Sequence, residues 1–353
     1  MEIQKILQSC VQYQASDVHL VVGMPPYLRY LGKLVPLPES EILTPEAISQ
    51  LIMSLLNEQQ KELVEVDREL DFSYSTTNGA RFRVNVFHEK GNLAAALRYV
   101  PPEIKSITDL GLPEIVSSLT ELKQGLVLVT GPTGHGKSTT LAAMIDKINK
   151  ERAEHIITIE DPIEFVHKNA KSIISQRELH ADTHSWGVAL RSVLREDPNV
   201  VLIGEMRDYE TIEAALTVAE TGHLVFATLH TNSAPQTIDR IVDVFPEEQQ
   251  QQIRSQLSST LEAVLSQRLL PSEKKGRVPV IEILLGTPAV KSTIRDGKTH
   301  MLTNVMQTSF ETGMRTLEMS LAEAYKSGLV TIEVAREYSQ NLDEFNRLVS
   351  KAK

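Results

Sequence analysis

Apolar and polar positions follow different patterns in the two parts of the chain. Up to about residue 102, an amphipathic first helix precedes short runs in which apolar and polar residues alternate, and Asn78-Gly79 and Gly91-Asn92 separate the later runs. Such alternation predicts half-buried strands, and these turn dipeptides predict antiparallel hairpins. The predicted strands are Val18–Val22, Tyr27–Leu31, Lys33–Leu37, Leu70–Ser75, Arg81–Phe87 and Leu93–Tyr99. A small α+β domain is therefore expected over residues 1–102.

Beyond Gly125 the pattern changes to continuous apolar runs that alternate with helical stretches. The runs are Leu126–Thr130, Ile156–Ile159, Val200–Ile203 and Leu224–Leu229. Strands that are apolar on both faces and separated by helices predict a mainly parallel sheet with helices on its faces. After Pro246, one long helix is predicted because Ile253, Leu257, Leu261 and Leu265 recur at steps of four. Short helices are expected over about residues 288–353.

Pro101-Pro102 interrupts the first pattern, so a linker is expected over residues 103–120 and a second domain over residues 121–353. A length of 353 residues agrees with two domains. The formal net charge of −10 counts against a protein that coats nucleic acid. Cys10 is the one cysteine, which excludes an intramolecular disulfide and a four-cysteine zinc site within the chain. No apolar stretch is long enough to span a bilayer, so a cytosolic protein without direct membrane insertion is expected.

The segment from Gly131 to Thr139 matches the pattern G-x-x-x-x-G-K-[ST] between a predicted buried strand and a predicted helix. Its glycines let the backbone curl so that successive N–H groups point at phosphate oxygens. Lys137 is then placed for the β- and γ-phosphates, and the Ser138 hydroxyl is placed for Mg²⁺. The predicted nucleotide contacts are Gly131, Pro132, Thr133, Gly134, His135, Gly136, Lys137, Ser138 and Thr139. The motif predicts an ATP or ADP site; His135 occupies a variable position and is expected to have no chemical role.

Carboxylates and histidines follow three of the predicted strands. Glu160, Asp161 and Glu164 come after one strand, and Gly204-Glu205 ends another. Ligands of open α/β sheets lie at the carboxyl ends of the strands, so both sets are candidates to meet the phosphates. His223 and His230 bracket a third strand. Their spacing does not indicate a metal pair; His230, at the carboxyl end, is the better candidate for sensing the γ-phosphate.

These segments, in this order, resemble the secretion ATPase superfamily and, within it, the PilT-type retraction ATPases of type IV pili. The likeness extends over nearly the whole chain. It rests on Ala15–Leu20, Gly23–Pro26, the Gly131–Thr139 loop, Glu160–Glu164, Gly204–Asp208 and Thr228–Asn232. The loop alone is generic, whereas the boxes together are specific.

The resemblance implies a PAS-like N-terminal domain joined to a RecA-like ATPase domain with a helical C-terminal tail. It further implies a homohexameric motor that hydrolyses ATP to retract pili and drive twitching motility. Such a motor works in the cytoplasm at the inner-membrane base of the pilus, on a platform protein and in some cases beside a paralogous ATPase. By carry-over from the family, Lys137 and Glu205 act in catalysis. Glu205 would bind Mg²⁺, partly through water. Glu164 would orient the attacking water, and His230 would contact the γ-phosphate region.

Arg81, Arg83 and Arg98 lie on predicted strands of the first domain. Alternate arginines on a strand are usually one solvated face. In the family, arginines of this domain approach the nucleotide, so the resemblance makes these three candidate arginine fingers.

The C-terminal part departs from the family pattern. PilT-type proteins typically carry Ala-Ile-Arg-Asn-Leu-Ile-Arg, where this chain has Ala289-Val290-Lys291-Ser292-Thr293-Ile294-Arg295. A PilU-like accessory retraction ATPase is therefore an alternative. A pilus-assembly or type II secretion ATPase is a less favoured alternative, because such proteins usually carry a four-cysteine zinc element, which this chain lacks; no zinc is expected. A nucleotide-gated scaffold and a RecA-like nucleic-acid motor are further alternatives; the acidic charge counts against the latter.

Overall fold

The computed structural model describes residues 2–101 and 103–350. Of these, the residues up to Glu103, together with Pro162–Val166, form one compact unit. Ile104–Asp161 and the residues from His167 onward form the other. The short segment that carries Glu164 therefore belongs to the first unit, although it lies within the stretch 121–353.

The first unit is an antiparallel sheet with helices. Its elements are α1 (Ile3–Gln12), β1 (Asp17–Leu20), β2 (Tyr27–Tyr30), β3 (Lys33–Pro36), α2 (Pro45–Met53), α3 (Glu58–Asp67), β4 (Glu69–Ser75), β5 (Arg81–Glu89) and β6 (Asn92–Val100). The six strands lie in the order β3-β2-β1-β6-β5-β4, and every pairing is antiparallel. The six strands that alternation predicts are thus confirmed. The Ala47 N–H donates to the Thr44 hydroxyl, which caps α2.

The second unit contains a larger, mainly parallel sheet. Up to the end of that sheet its elements are α4 (Glu114–Leu119), β7 (Gly125–Thr130), α5 (Lys137–Glu151), β8 (His155–Glu160), β9 (Ile173–Glu178), α6 (Trp186–Val193), β10 (Val200–Ile203), α7 (Tyr209–Glu220), β11 (Leu224–Leu229), α8 (Ala234–Asp243), α9 (Glu247–Thr260), β12 (Leu261–Ser272) and β13 (Gly276–Leu285). The strand order is β13-β12-β7-β11-β10-β8-β9. All neighbours are parallel except β12 and β13. This is a RecA-like arrangement.

Helices cover both faces of the larger sheet. Leu126 and Leu128 of β7 pack into one apolar core, with residues of α6 to α9, whereas Val127 and Val129 pack into another with residues of α4 and α5. Because successive strand residues point to opposite faces, a strand between two helical layers must be apolar throughout. The continuous apolar runs in the sequence have this cause.

The long helix expected after Pro246 is wrong in its second half. Helix α9 ends at Thr260, and Leu261 and Leu265 lie on β12. Ala263 and Val264 are fully buried as well, so both faces of this stretch contain buried residues, and it pairs with β7 and β13. Four apolar residues at steps of four fit a helix and a doubly buried strand alike, and here sheet pairing decides.

Short helices follow the sheet, as expected: α10 (Pro288–Arg295), α11 (Leu302–Thr308), α12 (Leu317–Lys326), α13 (Ile332–Tyr338) and α14 (Leu342–Ser350). The last three pack with Leu270, Val278 and Val280 of the β12–β13 hairpin in a separate apolar core. Within residues 2–101 and 103–350, no helix is long and apolar enough to cross a membrane.

Candidate nucleotide-binding site

The Gly131–Gly136 loop joins the buried strand β7 to α5. Gly131, Gly134 and Gly136 have φ values of +136°, +79° and +84°, which residues with a side chain rarely adopt. These conformations turn the chain sharply, so that α5 begins at Lys137 with its N-terminus next to the loop. A helix N-terminus with unpaired N–H groups beside a curled backbone is suited to an anion.

Two of the loop glycines have a second reason for lacking a side chain. A Cβ on Gly131 would lie 2.2 Å from the backbone oxygen of Gln267, and one on Gly136 would lie 2.9 Å from Nε2 of Gln267. A Cβ on Gly134 would meet no atom within 4 Å. Gly131 and Gly136 therefore let β12 approach the loop closely, whereas only the backbone angle requires glycine at position 134.

Lys137 is 8% exposed and points back over the loop. Its Nζ donates to the carbonyl oxygens of Gly131, at 2.8 Å, and Pro132, at 3.0 Å. Nζ also lies 3.3 Å from Nδ1 of His230, and the Thr133 hydroxyl lies 3.4 Å from the same nitrogen. Because the lysine ammonium can only donate, Nδ1 of His230 is the acceptor in this contact.

His230 connects Lys137 to a carboxylate. Its Nε2 lies 2.9 Å from Oε1 of Glu205, and Nε2 carries the hydrogen when Nδ1 accepts. The other oxygen of Glu205 lies 2.8 Å from Nη2 of Arg207. Hydrogen bonding and charge from Glu205 raise the pKa of Arg207. Lys137, His230, Glu205 and Arg207 thus form one continuous chain of polar contacts.

The sheet topology explains this convergence. Strand β11 lies between β7 and β10, and all three run in parallel. The loop follows β7, His230 directly follows β11, and Glu205 follows β10, so the three carboxyl ends lie side by side. Glu160 ends β8, the next strand, where its Oε1 accepts from the Thr158 hydroxyl at 2.7 Å.

Glu282 of β13 binds the segment that follows His230 through a hydrogen bond. It is 6% exposed, and its Oε1 accepts from the N–H of Ala234, the first residue of α8, at 2.6 Å. Burial raises the pKa of Glu282 to about 7, helped by the charge of Glu318 and opposed by the hydrogen bond from Ala234 and the charge of Arg268.

The other predicted site residues lie in the first unit. Arg83 Nη1 is 3.6 Å from Oε1 of Glu164, and Arg81 Nε donates to the carbonyl oxygen of Ile163 at 3.3 Å. Arg98 Nε donates to Oδ1 of the buried Asp17 at 2.9 Å. Two of the three arginines thus contact the segment that carries Glu164, and the third is paired with Asp17.

His223 does not join the loop. It precedes β11, whose six residues span roughly 20 Å, and so lies at the opposite end of the strand from His230. Its Nδ1 lies 3.0 Å from the carbonyl oxygen of Val218 and 3.0 Å from the Thr221 hydroxyl, both at the end of α7. These contacts give His223 a structural place in the fold.

The loop, Lys137, Ser138 and Glu205 fit a magnesium nucleotide. The glycine cradle and the buried lysine suit phosphate oxygens, and a hydroxyl with one carboxylate is typical of Mg²⁺ that is also bound to phosphate. Among residues 2–101 and 103–350, no group of three or more His, Cys, Asp or Glu side chains could hold a metal ion by itself.

Sequence reasoning missed Gln267 and the contact of the His135 side chain. Gln267 lies just beyond Leu265, the last apolar residue of the wrongly expected helix, and about 130 residues from the loop that it contacts. No spacing pattern in the sequence connects the two. The sequence predicts no chemical role for His135; in the structure its Nδ1 accepts from the backbone N–H of Leu269 at 2.9 Å.

Comparisons with known proteins show what the whole chain is similar to. A family model described as "Type II/IV secretion system protein" matches residues 1–339. The chain is 46% identical over 347 residues to the type IV pilus retraction ATPase PilT of Pseudomonas aeruginosa, with 98% of this chain and 100% of that protein covered. It is 39% identical over 350 residues to the type IV pilus ATPase PilU of the same organism, with 99% and 91% covered. A crystal structure of the pilus retraction motor PilT with bound ADP matches with a TM-score of 0.92 at 46% identity, covering 98% of this chain and 99% of that one.

Proposed function

Because the chain belongs to the family of type II/IV secretion system proteins, we propose that it is an ATP-hydrolysing motor that retracts type IV pili. The observation that carries the ATPase part of the proposal is the chain of contacts from the phosphate loop through Lys137 and His230 to Glu205. The 46% identity to a pilus retraction ATPase over 98% of the chain supports retraction as the work that the motor does. The 39% identity to PilU keeps an accessory retraction ATPase as the second candidate.

The loop N–H groups and Lys137 would bind the β- and γ-phosphates. Ser138 and Glu205 would hold Mg²⁺, partly through water, and the bound ion would neutralise charge that develops on the phosphates. His230 contacts both Lys137 and Glu205, so its position responds to a change at either end. Loss of contacts at the γ-phosphate is the usual origin of conformational switching in such ATPases.

Glu164 is proposed to orient the attacking water, and Arg81, Arg83 and Arg98 are proposed arginine fingers. What supports the arginine proposal is that Arg83 and Arg81 contact the Glu164 segment within the first unit. Arginine fingers contribute roughly 10³–10⁵ in rate where they have been measured. Arg98 is the weakest of the three because Asp17 already pairs with it.

The proposed assembly is a homohexamer in the cytoplasm at the inner-membrane base of the pilus. There it would act on a platform protein, and a paralogous ATPase is a proposed second partner. The family resemblance supports this assembly. A native mass corresponding to six chains would agree with it, and a monomer at micromolar concentration with ATP would contradict it.

Steady-state ATP hydrolysis tests the enzymatic part of the proposal. Lys137→Ala should abolish turnover and weaken nucleotide binding. Glu164→Gln should retain binding and lose about 10²- to 10⁴-fold in kcat, the range for a general base. Glu65→Gln, on an exposed position of α3 in the same unit, is the matched control and should be unchanged.

Two results would redirect the proposal. Wild-type turnover no higher than that of Lys137→Ala would favour a nucleotide-gated scaffold. Turnover that DNA or RNA strongly stimulates would favour a nucleic-acid motor.

A further inference from the structure

We propose that Gln267 and the imidazole of His135 are positioning residues that hold the phosphate loop in its binding conformation from the neighbouring strand β12. The inference rests on the proposed nucleotide site and deepens it. It assigns a role in nucleotide affinity to two side chains outside the proposed reaction chemistry.

Gln267 joins the loop to the first turn of α5. Its side chain is almost fully buried, with the residue 2% exposed, and Nε2 donates to the carbonyl oxygen of His135 at 2.8 Å. Oε1 accepts from the Thr140 hydroxyl at 2.7 Å. Because a carbonyl oxygen can only accept, the amide must turn its NH₂ toward His135. Both ends of one buried amide are therefore used to fix the loop against α5.

His135 makes a second contact between the loop and β12. Its Nδ1 accepts from the backbone N–H of Leu269 at 2.9 Å, which requires a ring that is unprotonated at this nitrogen. Burial lowers the pKa of His135, and the positive charges of Arg268, Lys137 and Arg277 lower it further. The ring is thus held in the form that can accept this bond at neutral pH.

The loop needs such support because its own backbone is not held by regular secondary structure. Three of its residues are glycines in the left-handed region, and glycine loses the most conformational freedom on ordering. A loop that is already ordered loses less entropy when phosphate binds, so preorganisation appears as affinity. The close approach of Gly131 and Gly136 to Gln267 agrees with a fit between loop and strand.

The test compares Gln267→Met, which has similar length and no polar atoms, with the wild-type protein. The dissociation constant for ADP and the KM for ATP should rise about tenfold, which corresponds to about 1.4 kcal/mol. The kcat should change less than threefold, because the hydrogen bonds of the Gln267 side chain go to His135 and Thr140 and not to Glu205 or His230. A residue that merely stabilises the fold would lower the melting temperature without raising KM.

Matched variants separate the effect of lost stability from the effects of the His135 and Gln267 contacts. Phe345→Leu truncates a buried residue of α14 in the C-terminal core and should lower the melting temperature with KM unchanged. His135→Asn offers an oxygen near the position of Nδ1 and should bind ADP more tightly than His135→Ala. If Gln267→Met does not fold, a comparison of Thr140→Val with Thr140→Ser takes its place. Thr140→Val should raise the KM for ATP, whereas Thr140→Ser, which keeps the hydroxyl, should have the wild-type KM.

The outcomes are distinct. ADP affinity and KM that stay at wild-type values in folded Gln267→Met would overturn the role of Gln267. Equal affinities of His135→Ala and His135→Asn would overturn the role of the imidazole. A wild-type protein that binds no ADP would instead overturn the proposed function itself.

Discussion

Replacement of Gly131 by alanine is the perturbation for which the structure gives the clearest magnitude. Gly131 has a φ of +136°, and an added Cβ would lie 2.2 Å from the backbone oxygen of Gln267. A side chain in such a backbone region costs about 1–3 kcal/mol. The clash costs about 1–3 kcal/mol more, because the opposing atom is backbone and cannot rotate away. The expected loss of stability is therefore about 4 kcal/mol.

Thermal unfolding of the nucleotide-free protein measures this loss. For a unit of about 150–250 residues, each kcal/mol shifts the melting temperature by about 2–4 °C, so Gly131→Ala should melt roughly 8–16 °C lower. Gly134→Ala is the matched control, with a φ of +79° and no atom within 4 Å of the added Cβ. The backbone angle alone costs it about 1–2 kcal/mol, or about 2–8 °C.

The comparison isolates the contact with β12 from the backbone angle. If Gly131→Ala melted no lower than Gly134→Ala, the close approach of β12 to the loop would be wrong. The positioning role of Gln267 would then lose its geometric basis.

Three further predictions concern Glu282, Asp17 and His230. The pKa of Glu282 is raised to about 7 from 4.5, so the folded state favours the protonated form. The free energy of unfolding should therefore fall as pH rises from 4.5 to about 7 and level off above that range. In urea unfolding at several pH values, Glu282→Gln should remove this fall. Burial tends to raise the pKa of Asp17, but hydrogen bonds from Ser16 and Arg98 and the charge of Arg98 outweigh it and lower the pKa. Its stabilising contribution should be present at neutral pH and decrease as pH falls below about 4, so Asp17→Asn should cost about 1 kcal/mol at pH 7 and less at pH 3. His230→Gln should lower ATP turnover more than ADP affinity, measured as kcat against Kd; equal effects on both would contradict a role in the reaction.

The strands of the first unit and the central strands of the second could be predicted because burial imposes a visible period. Alternation marks β4 and β5, which have one polar face, and continuous apolar runs mark β7 and β11, which have none. The strand β12 could not be separated from a helix by period, because Leu261 and Leu265 satisfy both patterns. Its pairing with β7 depends on residues about 135 positions earlier in the chain.

The residues of the site likewise divide into those that the sequence predicts and those that it does not. The phosphate loop carries its chemistry in contiguous residues, so sequence alone predicts it. Glu205 and His230 could be nominated because parallel strands bring their carboxyl ends together, and the structure places both within one contact chain. Gln267 could not be nominated, because its role comes from packing against the loop and from no motif.

If this ATPase retracts pili, the number of surface pili should change when its gene is deleted. We expect excess pili and lost twitching motility, both restored by the wild-type gene and not by a Lys137→Ala copy. Restoration by Lys137→Ala would contradict an ATP-driven motor. Absence of pili in the deletion strain would contradict retraction and indicate a role in assembly.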